Sequence, residues 1–177
     1  MVLLKVTDIK HFMKKLLFEN ETAFDSFLLS EASIMTGNTV TIDGHINKEF
    51  YSQEELIHIE EAARENGRVY SPVMSRWSTL KGFCFQLIKG KKTPLSFRFV
   101  FYLADENIDR FLNSVKTVLT RADIDGLTLN VKYDGHTLTC TTATSLNLFT
   151  LDKSIDRAWD DMIKKFLFKH EINFEEL

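Results

Sequence analysis

The chain has 177 residues, of which 44% are hydrophobic and 27% are charged, and its formal net charge is −3 at pH 7. This composition fits one globular domain with a substantial core and excludes a disordered chain. Because the net charge is slightly negative, binding to nucleic acid would require a local basic patch. Cys84 and Cys140 lie in no Cys-x-x-Cys or Cys/His pattern, so the sequence predicts neither a zinc site nor a disulfide.

The apolar segments are short. None reaches the roughly eighteen residues that a membrane-spanning helix needs, and the apolar run after Met1 is too short for a signal peptide. We therefore predict a cytoplasmic protein with no membrane partner.

The first part of the chain predicts a strand, a helix and then three antiparallel strands. Apolar residues from Ile9 to Leu17 recur at helical spacing, and Thr7 or Asp8 precedes them as N-cap. The predicted strands are Val2 to Val6, Phe24 to Met35, Thr39 to Ile42 and His45 to Tyr51, with turns at Gly37-Asn38 and Asp43-Gly44.

Two further helices are predicted in the middle of the chain. Ser52 and Glu55 have the spacing of a capping box, which indicates a helix to about Glu65 that Asn66-Gly67 ends. Ser71-Pro72 is typical of a helix start, and helical spacing of apolar residues then continues to Ile88. Residues 82 to 88 also alternate as a strand would, so both structures stay open there.

The second part begins with a strand over Leu95 to Leu103 and a helix that Asp105 caps. A β-hairpin follows from Gly126, and its Asp134-Gly135 pair predicts a type I′ turn. We also predict a strand over Ser145 to Leu151 and a last helix that starts near Asp152 or Ser154.

The two parts share a pattern. The helical spacing of Ile9, Phe12, Met13 and Leu16 recurs at Ile108, Phe111, Leu112 and Val115, and Gly37 to Ile42 recurs as Gly135 to Cys140. The sequence therefore predicts an α+β fold with a duplicated β-α-β-β-β(-α) unit, antiparallel sheets and helices packed on one side. The pseudo-repeats are 1–65 and 95–170, joined by a helical connector at 66–94 in a single domain over 1–177. The two first helices are expected to lie side by side.

This order of elements resembles a single domain of a DNA sliding clamp, on the helices Ile9 to Leu17 and Ile108 to Val118 and the two hairpins. The resemblance implies that both helices face a DNA channel and present cations to phosphates. The matching cations are Lys10, Lys14, Lys15 and Arg110, although Asp109, Asn113 and other polar residues dilute the second helix. The runs Ser30 to Tyr51 and Asp134 to Asp161 are also similar to an uncharacterised bacterial family of unknown function.

Other candidate sites have two interpretations each. Lys89, Lys91 and Lys92 form the densest basic cluster and could hold an anion, but a loop of this kind is more often simply solvated. A solvated face is likewise the favoured interpretation of Lys10, Lys14 and Lys15, since any amphipathic surface helix needs one. Arg76 and Trp77 are candidates for a protein contact, while Met74 and Leu80 at helical spacing favour a core position for Trp77.

No catalytic or cofactor motif accompanies these residues. The five histidines are scattered without a metal-binding spacing, and neither GxSxG nor GxGxxG occurs. We therefore predict no cofactor, and a non-enzymatic scaffold or interaction module with clamp-like architecture, whose partner is a second copy, another protein or, as the less favoured choice, DNA. The alternative is a ligand-binding protein or small enzyme with its site at the junction of the two halves.

Overall fold

Seven strands form one antiparallel sheet in the computed structural model, which describes residues 1–62 and 73–177. The strands are β1 (Leu3–Val6), β2 (Leu28–Met35), β3 (Thr39–Asp43), β4 (Ser96–Tyr102), β5 (Ile124–Tyr133), β6 (Leu138–Leu146) and β7 (Phe174–Glu176). Their order across the sheet is β3-β2-β4-β5-β6-β1-β7. The sheet thus spans both predicted halves of the chain.

The helices of the described residues are α1 (Ile9–Leu17), α2 (Gln53–Ala62), α3 (Trp77–Ile88), α4 (Asp105–Ser114) and α5 (Ser154–Lys169). Short 3-10 helices cover Lys48–Phe50 and Arg121–Asp123. The predicted α+β fold is confirmed, and residues 82 to 88 are helical. The predicted helix boundaries at Asn66-Gly67 and Ser71-Pro72 lie outside the described residues, and α3 begins at Trp77.

The core lies on one face of the sheet. Phe97, Phe99 and Phe101 of β4 are buried, while Arg98 between them is exposed. The same alternation in β5 buries Leu129 and Val131 and exposes Lys132 on the opposite face. Because successive side chains of a strand point to opposite faces, the aromatic side chains share one face, on which Trp77 of α3 packs, and the other face is open at Arg98 and Lys132.

Two predicted strands are wrong. His45 forms a single bridge to Met74, and the chain then enters the 3-10 helix at Lys48 instead of pairing as a strand to Tyr51. The run Ser145 to Leu151 continues β6 only to Leu146. The Asn147 N–H donates to the Asp123 carbonyl at 2.9 Å, which extends the pairing at the start of β5 by one residue, and residues 147–151 then form no strand.

The hairpin between β5 and β6 is confirmed, but its turn is not type I′. Within this turn only Gly135 has a positive φ, of 97°, whereas a type I′ turn requires positive φ at both central residues. The Asp134 N–H donates to the Thr137 carbonyl at 3.2 Å, so Gly135 and His136 are the central pair. Asp134 instead accepts the N–H groups of His136 and Thr137 at 3.0 and 2.8 Å, which lowers the pKa of its carboxyl.

The order strand, helix, strand, strand occurs twice, as β1-α1-β2-β3 and as β4-α4-β5-β6. The pairings differ between the two, because β4 pairs with β5 of its own half while β1 pairs with β6 of the other. Nor are the two first helices each other's main neighbours: α1 packs against α3, and α4 contacts α5 through Phe111 and Trp159. The clamp-like arrangement is not confirmed, and the duplication stays a prediction.

Candidate functional site

A cavity of about 600 Å³ lies at one end of the sheet, where β2 begins and β4 ends. One wall comes from β2, the loop after β3, and residues 73–76; the other comes from the end of β4, the first turn of α4 and the start of β5. The cavity therefore lies at the junction of the two predicted halves.

The segment 73–76 is held like an extra short strand between β2 and the loop after β3. Leu29 N–H donates to the Ser75 carbonyl at 2.9 Å, and Ser75 N–H donates to the Gly44 carbonyl at 2.8 Å. A third bond joins the Ile46 N–H to the Val73 carbonyl, also at 2.8 Å. Backbone bonds on both sides thus make this wall of the cavity a continuation of the sheet.

Two glycines permit close approaches in the walls. A Cβ at Gly44 would lie 1.8 Å from the carbonyl oxygen of Leu29, so no other residue fits without moving the backbone. A Cβ at Gly126 would lie 2.6 Å from the ring of Tyr102, which lines the cavity. Gly126 therefore leaves room for this tyrosine ring.

The apolar part of the lining is large enough to accept a ring or a short alkyl chain. Its apolar and aromatic side chains come from both walls, from α2 and from the residue after the first 3-10 helix: Leu28, Ile46, Tyr51, Ile59, Val73, Met74, Tyr102, Leu103 and Ile108.

Two ion pairs lie at the first turn of α4. Arg76 bonds to Glu106, and Arg121 bonds to Asp105. The two carboxylates are favourable at a helix N-terminus, where the backbone dipole is positive. Both arginines are thereby fixed in place, and their cationic charge in the cavity is balanced.

His45 and Asp43 form a third polar pair at the cavity. The ring Nδ1 of His45 lies 2.6 Å from Asp43 Oδ1, and the same oxygen accepts the His45 backbone N–H at 3.0 Å. These two bonds lower the pKa of Asp43, the backbone bond most strongly. Asp43 is therefore ionised at neutral pH and holds the His45 ring in one orientation.

The predicted cations are not brought to this cavity. On α1, Lys10 and Lys14 are exposed, while Lys15 pairs with Glu21 at 3.0 Å. Arg110 of α4 donates to Asn107 at 3.1 Å.

The cluster after α3 is also remote from the cavity lining. Lys89, Lys91 and Lys92 are exposed, and the Lys89 ammonium lies 6.0 Å from the centre of the Phe85 ring. That ring contacts Phe18, which follows α1. The cations are thus divided between α1, α4 and the turn after α3.

The structure places Arg76 in the cavity wall and Trp77, its predicted partner in a protein contact, in the core. Arg76 lines the cavity, whereas Trp77 is fully buried and donates its Nε1–H to the Leu16 carbonyl at 2.7 Å. A surface contact through Trp77 is therefore not available. The structure shows Trp77 in the core, as the helical spacing with Met74 and Leu80 had predicted.

Sequence reasoning missed His45, Asp105 and Arg121 as members of one site. The Asp43-x-His45 spacing was a usable signal, because an Asp side chain readily accepts the backbone N–H two residues on. Nothing local indicated that Arg121 would reach Asp105, since the two lie on different elements.

Residues 1–62 and 73–177 contain no group of three or more histidine, cysteine or acidic side chains that could hold a metal ion. Within the same ranges no helix is both long and apolar enough to cross a membrane.

The fold and cavity define an α+β protein with one antiparallel sheet and a pocket at its end. The chain belongs to the family of unknown function DUF5721, which matches residues 15–175. The predicted membership of a family of unknown function is thereby confirmed. No curated protein and no solved structure shows a significant match to the chain.

Proposed function

We propose that this protein binds a small organic ligand in the cavity at the junction of its two halves. The observation that carries the proposal is the cavity itself, whose volume of about 600 Å³ lies within the range of ligand sites in proteins. An apolar lining with a few fixed polar groups is also typical of such sites.

The polar groups support binding more than catalysis. Arg76 and Arg121 are each engaged by a carboxylate of α4, so these charges hold the cavity in shape. Each guanidinium has five N–H donors and uses only some of them on protein, so polar atoms of a ligand can be bound by the remainder.

The test is to block the cavity from one residue. Thr79 of α3 lines the cavity and is exposed, whereas its neighbour Ser78 is exposed and is not part of the lining. A library of small aromatic and aliphatic fragments is screened by saturation-transfer NMR against wild type, Thr79→Trp and Ser78→Trp. We expect fragments to bind wild type and Ser78→Trp and to lose binding to Thr79→Trp. Binding that survives equally in Thr79→Trp would contradict the proposal.

The second function is a scaffold or interaction module that contacts another protein, a second copy of the chain, or DNA. Its support is that Lys10 and Lys14 are exposed and have no ion pair with any described residue. Contact with phosphates would make the affinity for nonspecific duplex DNA fall steeply as salt rises. A gel-shift at low salt with wild type and the triple variant of Lys10, Lys14 and Lys15 to Glu tests it; no shift of wild type would contradict DNA binding.

A further inference from the structure

We infer that a second copy of this chain pairs antiparallel with the free edge of β3, so that two seven-stranded sheets become continuous. The inference deepens the second proposed function, the interaction module, on which it rests, and it is independent of the ligand cavity. The strands β3 and β7 form the two edges of the sheet. These edges differ in ways that identify β3 as the surface for pairing.

The backbone of β3 bonds to β2 only at every second residue. The Gly44 N–H donates to the Ser30 carbonyl at 2.9 Å, one position beyond the last register pair of the two strands. Because hydrogen-bonded pairs alternate along an antiparallel ladder, the even-numbered residues of β3 bond to β2. The N–H and carbonyl groups of Thr39, Thr41 and Asp43 point to the free side instead, and no described residue bonds to them.

The edge of β3 has none of the features that usually prevent strand pairing. Natural proteins protect edge strands with lysine, proline, a bulge or a very short strand. β3 has five residues without lysine or proline, four of them exposed, and its register with β2 is unbroken. Its first four residues are all β-branched, which favours pairing with a further strand.

The opposite edge, β7, is protected. It has only three residues, and two of them, Glu175 and Glu176, are acidic. Glu176 pairs with Lys164 at 2.7 Å, and Glu175 lies 4.0 Å from Lys5. Pairing of two copies at this short edge would bring like charges together. Association through β3 therefore ends at two copies.

The sequence of β3 is complementary to itself in one antiparallel register. With a twofold axis at Thr41, this residue faces its own copy. Thr39 then faces Asp43 of the other copy, and Val40, which is exposed in the single chain, faces Ile42. These pairs match hydroxyl with hydroxyl, hydroxyl with carboxylate, and apolar with apolar. Asp43 is the only charged residue of β3 and does not meet its own copy. A twofold interface in which one surface pairs with itself needs this match.

The test is sedimentation velocity of the full chain over a range of concentrations. We expect wild type to form a dimer whose fraction rises with concentration. Thr41→Pro removes an N–H that no described residue accepts, and proline is tolerated at such edge positions. Two hydrogen bonds between the copies are lost at the axis, so the dissociation constant should rise about thirtyfold.

Thr41→Lys is a second variant that keeps the N–H. It brings two like charges together at the axis, so it should also favour the monomer. Thr141→Lys is the matched control, because Thr141 lies on the same face of the sheet but on the interior strand β6. This control should dimerise as wild type does.

The register is tested with Thr41→Cys. Facing residues of a hydrogen-bonded pair have Cα atoms about 5.5 Å apart, which suits a disulfide. Cys84 and Cys140 are buried, so only the introduced thiols are accessible. Oxidation should link two copies of Thr41→Cys and should leave Thr141→Cys unlinked.

The outcomes separate this inference from the function on which it rests. If wild type stayed monomeric up to millimolar concentrations, the pairing of two copies would be overturned, while contact with DNA would still be decided by the gel-shift. A dimer that both Thr41→Pro and Thr41→Lys left intact, or that was linked equally through Thr141→Cys, would overturn the assignment to β3 and keep the interaction module.

Discussion

Replacement of Gly44 by alanine tests how the cavity wall is built. A Cβ there would lie 1.8 Å from the Leu29 carbonyl oxygen and 2.7 Å from its carbon, so the two backbones must separate by roughly 1.6 Å or more to reach ordinary contact distance. The separation weakens the bonds from Gly44 N–H to the Ser30 carbonyl and from Ser75 N–H to the Gly44 carbonyl, at 2.9 and 2.8 Å. With about 1 kcal/mol for each of the two bonds and about 1–3 kcal/mol for overpacking, we expect a loss of about 3–5 kcal/mol in the free energy of unfolding.

The assay is guanidinium unfolding followed by tryptophan fluorescence, since Trp77 and Trp159 are both fully buried. The loss corresponds to a decrease in Tm of roughly 6–20 °C for a domain of this size. Gly82→Ala is the control, because Gly82 is helical and a Cβ there meets no atom within 4 Å; it should stabilise by about 0.5–1 kcal/mol. If Gly44→Ala unfolded at the same denaturant concentration as wild type, the described close approach would be refuted.

Three further predictions concern buried or partly buried groups. Burial raises the pKa of Cys84 and of Cys140 to about 12, so neither thiol should react with iodoacetamide at neutral pH until the protein is unfolded; rapid labelling of the native protein would contradict this. Lys81 is buried and pairs with Asp25 at 2.7 Å, so Asp25→Ala should cost about 2–3 kcal/mol in guanidinium unfolding, and a change below about 0.5 kcal/mol would contradict the pair. Burial and two neighbouring lysines lower the pKa of His170 in the folded state. Between this lowered pKa and the ordinary histidine value of 6.5, the unfolded chain binds more protons than the folded one, so the free energy of unfolding should fall as the pH drops through 6.5. The fall should be less steep in His170→Gln. An equal slope in that variant would contradict the assignment.

Local patterns predicted the helices and most of the strands. The alternation of Phe97, Phe99 and Phe101 and the helical spacing in α1 each depend on neighbours in the chain, and both elements are present as expected. The order of strands could not be predicted in this way, because the pairing of β1 with β6 joins residues that are far apart in sequence. The predicted strand from His45 to Tyr51 was wrong for the same reason, since the bridge partner of His45 is Met74, which belongs to a distant segment of the chain.

The sequence predicted where a site could lie but not which polar residues form it. A junction of two halves is a common position for a pocket, but its polar groups come from segments whose contacts depend on the tertiary fold. The tripeptide Asp-Gly-His occurs at both His45 and His136, and only packing places the first at the cavity. The lysines of α1 could not be assigned a role from the sequence either, since a charged helix face has the same sequence pattern whether or not it binds a partner.

The most direct test of a ligand site at the junction is a map of amide shifts in ¹H–¹⁵N NMR spectra when a fragment that binds wild type is added. We expect the largest changes to fall on residues of both cavity walls, such as Ile46, Ser75 and Leu103. Changes confined to α1 or to the open face of the sheet, or spread evenly over the protein, would contradict it.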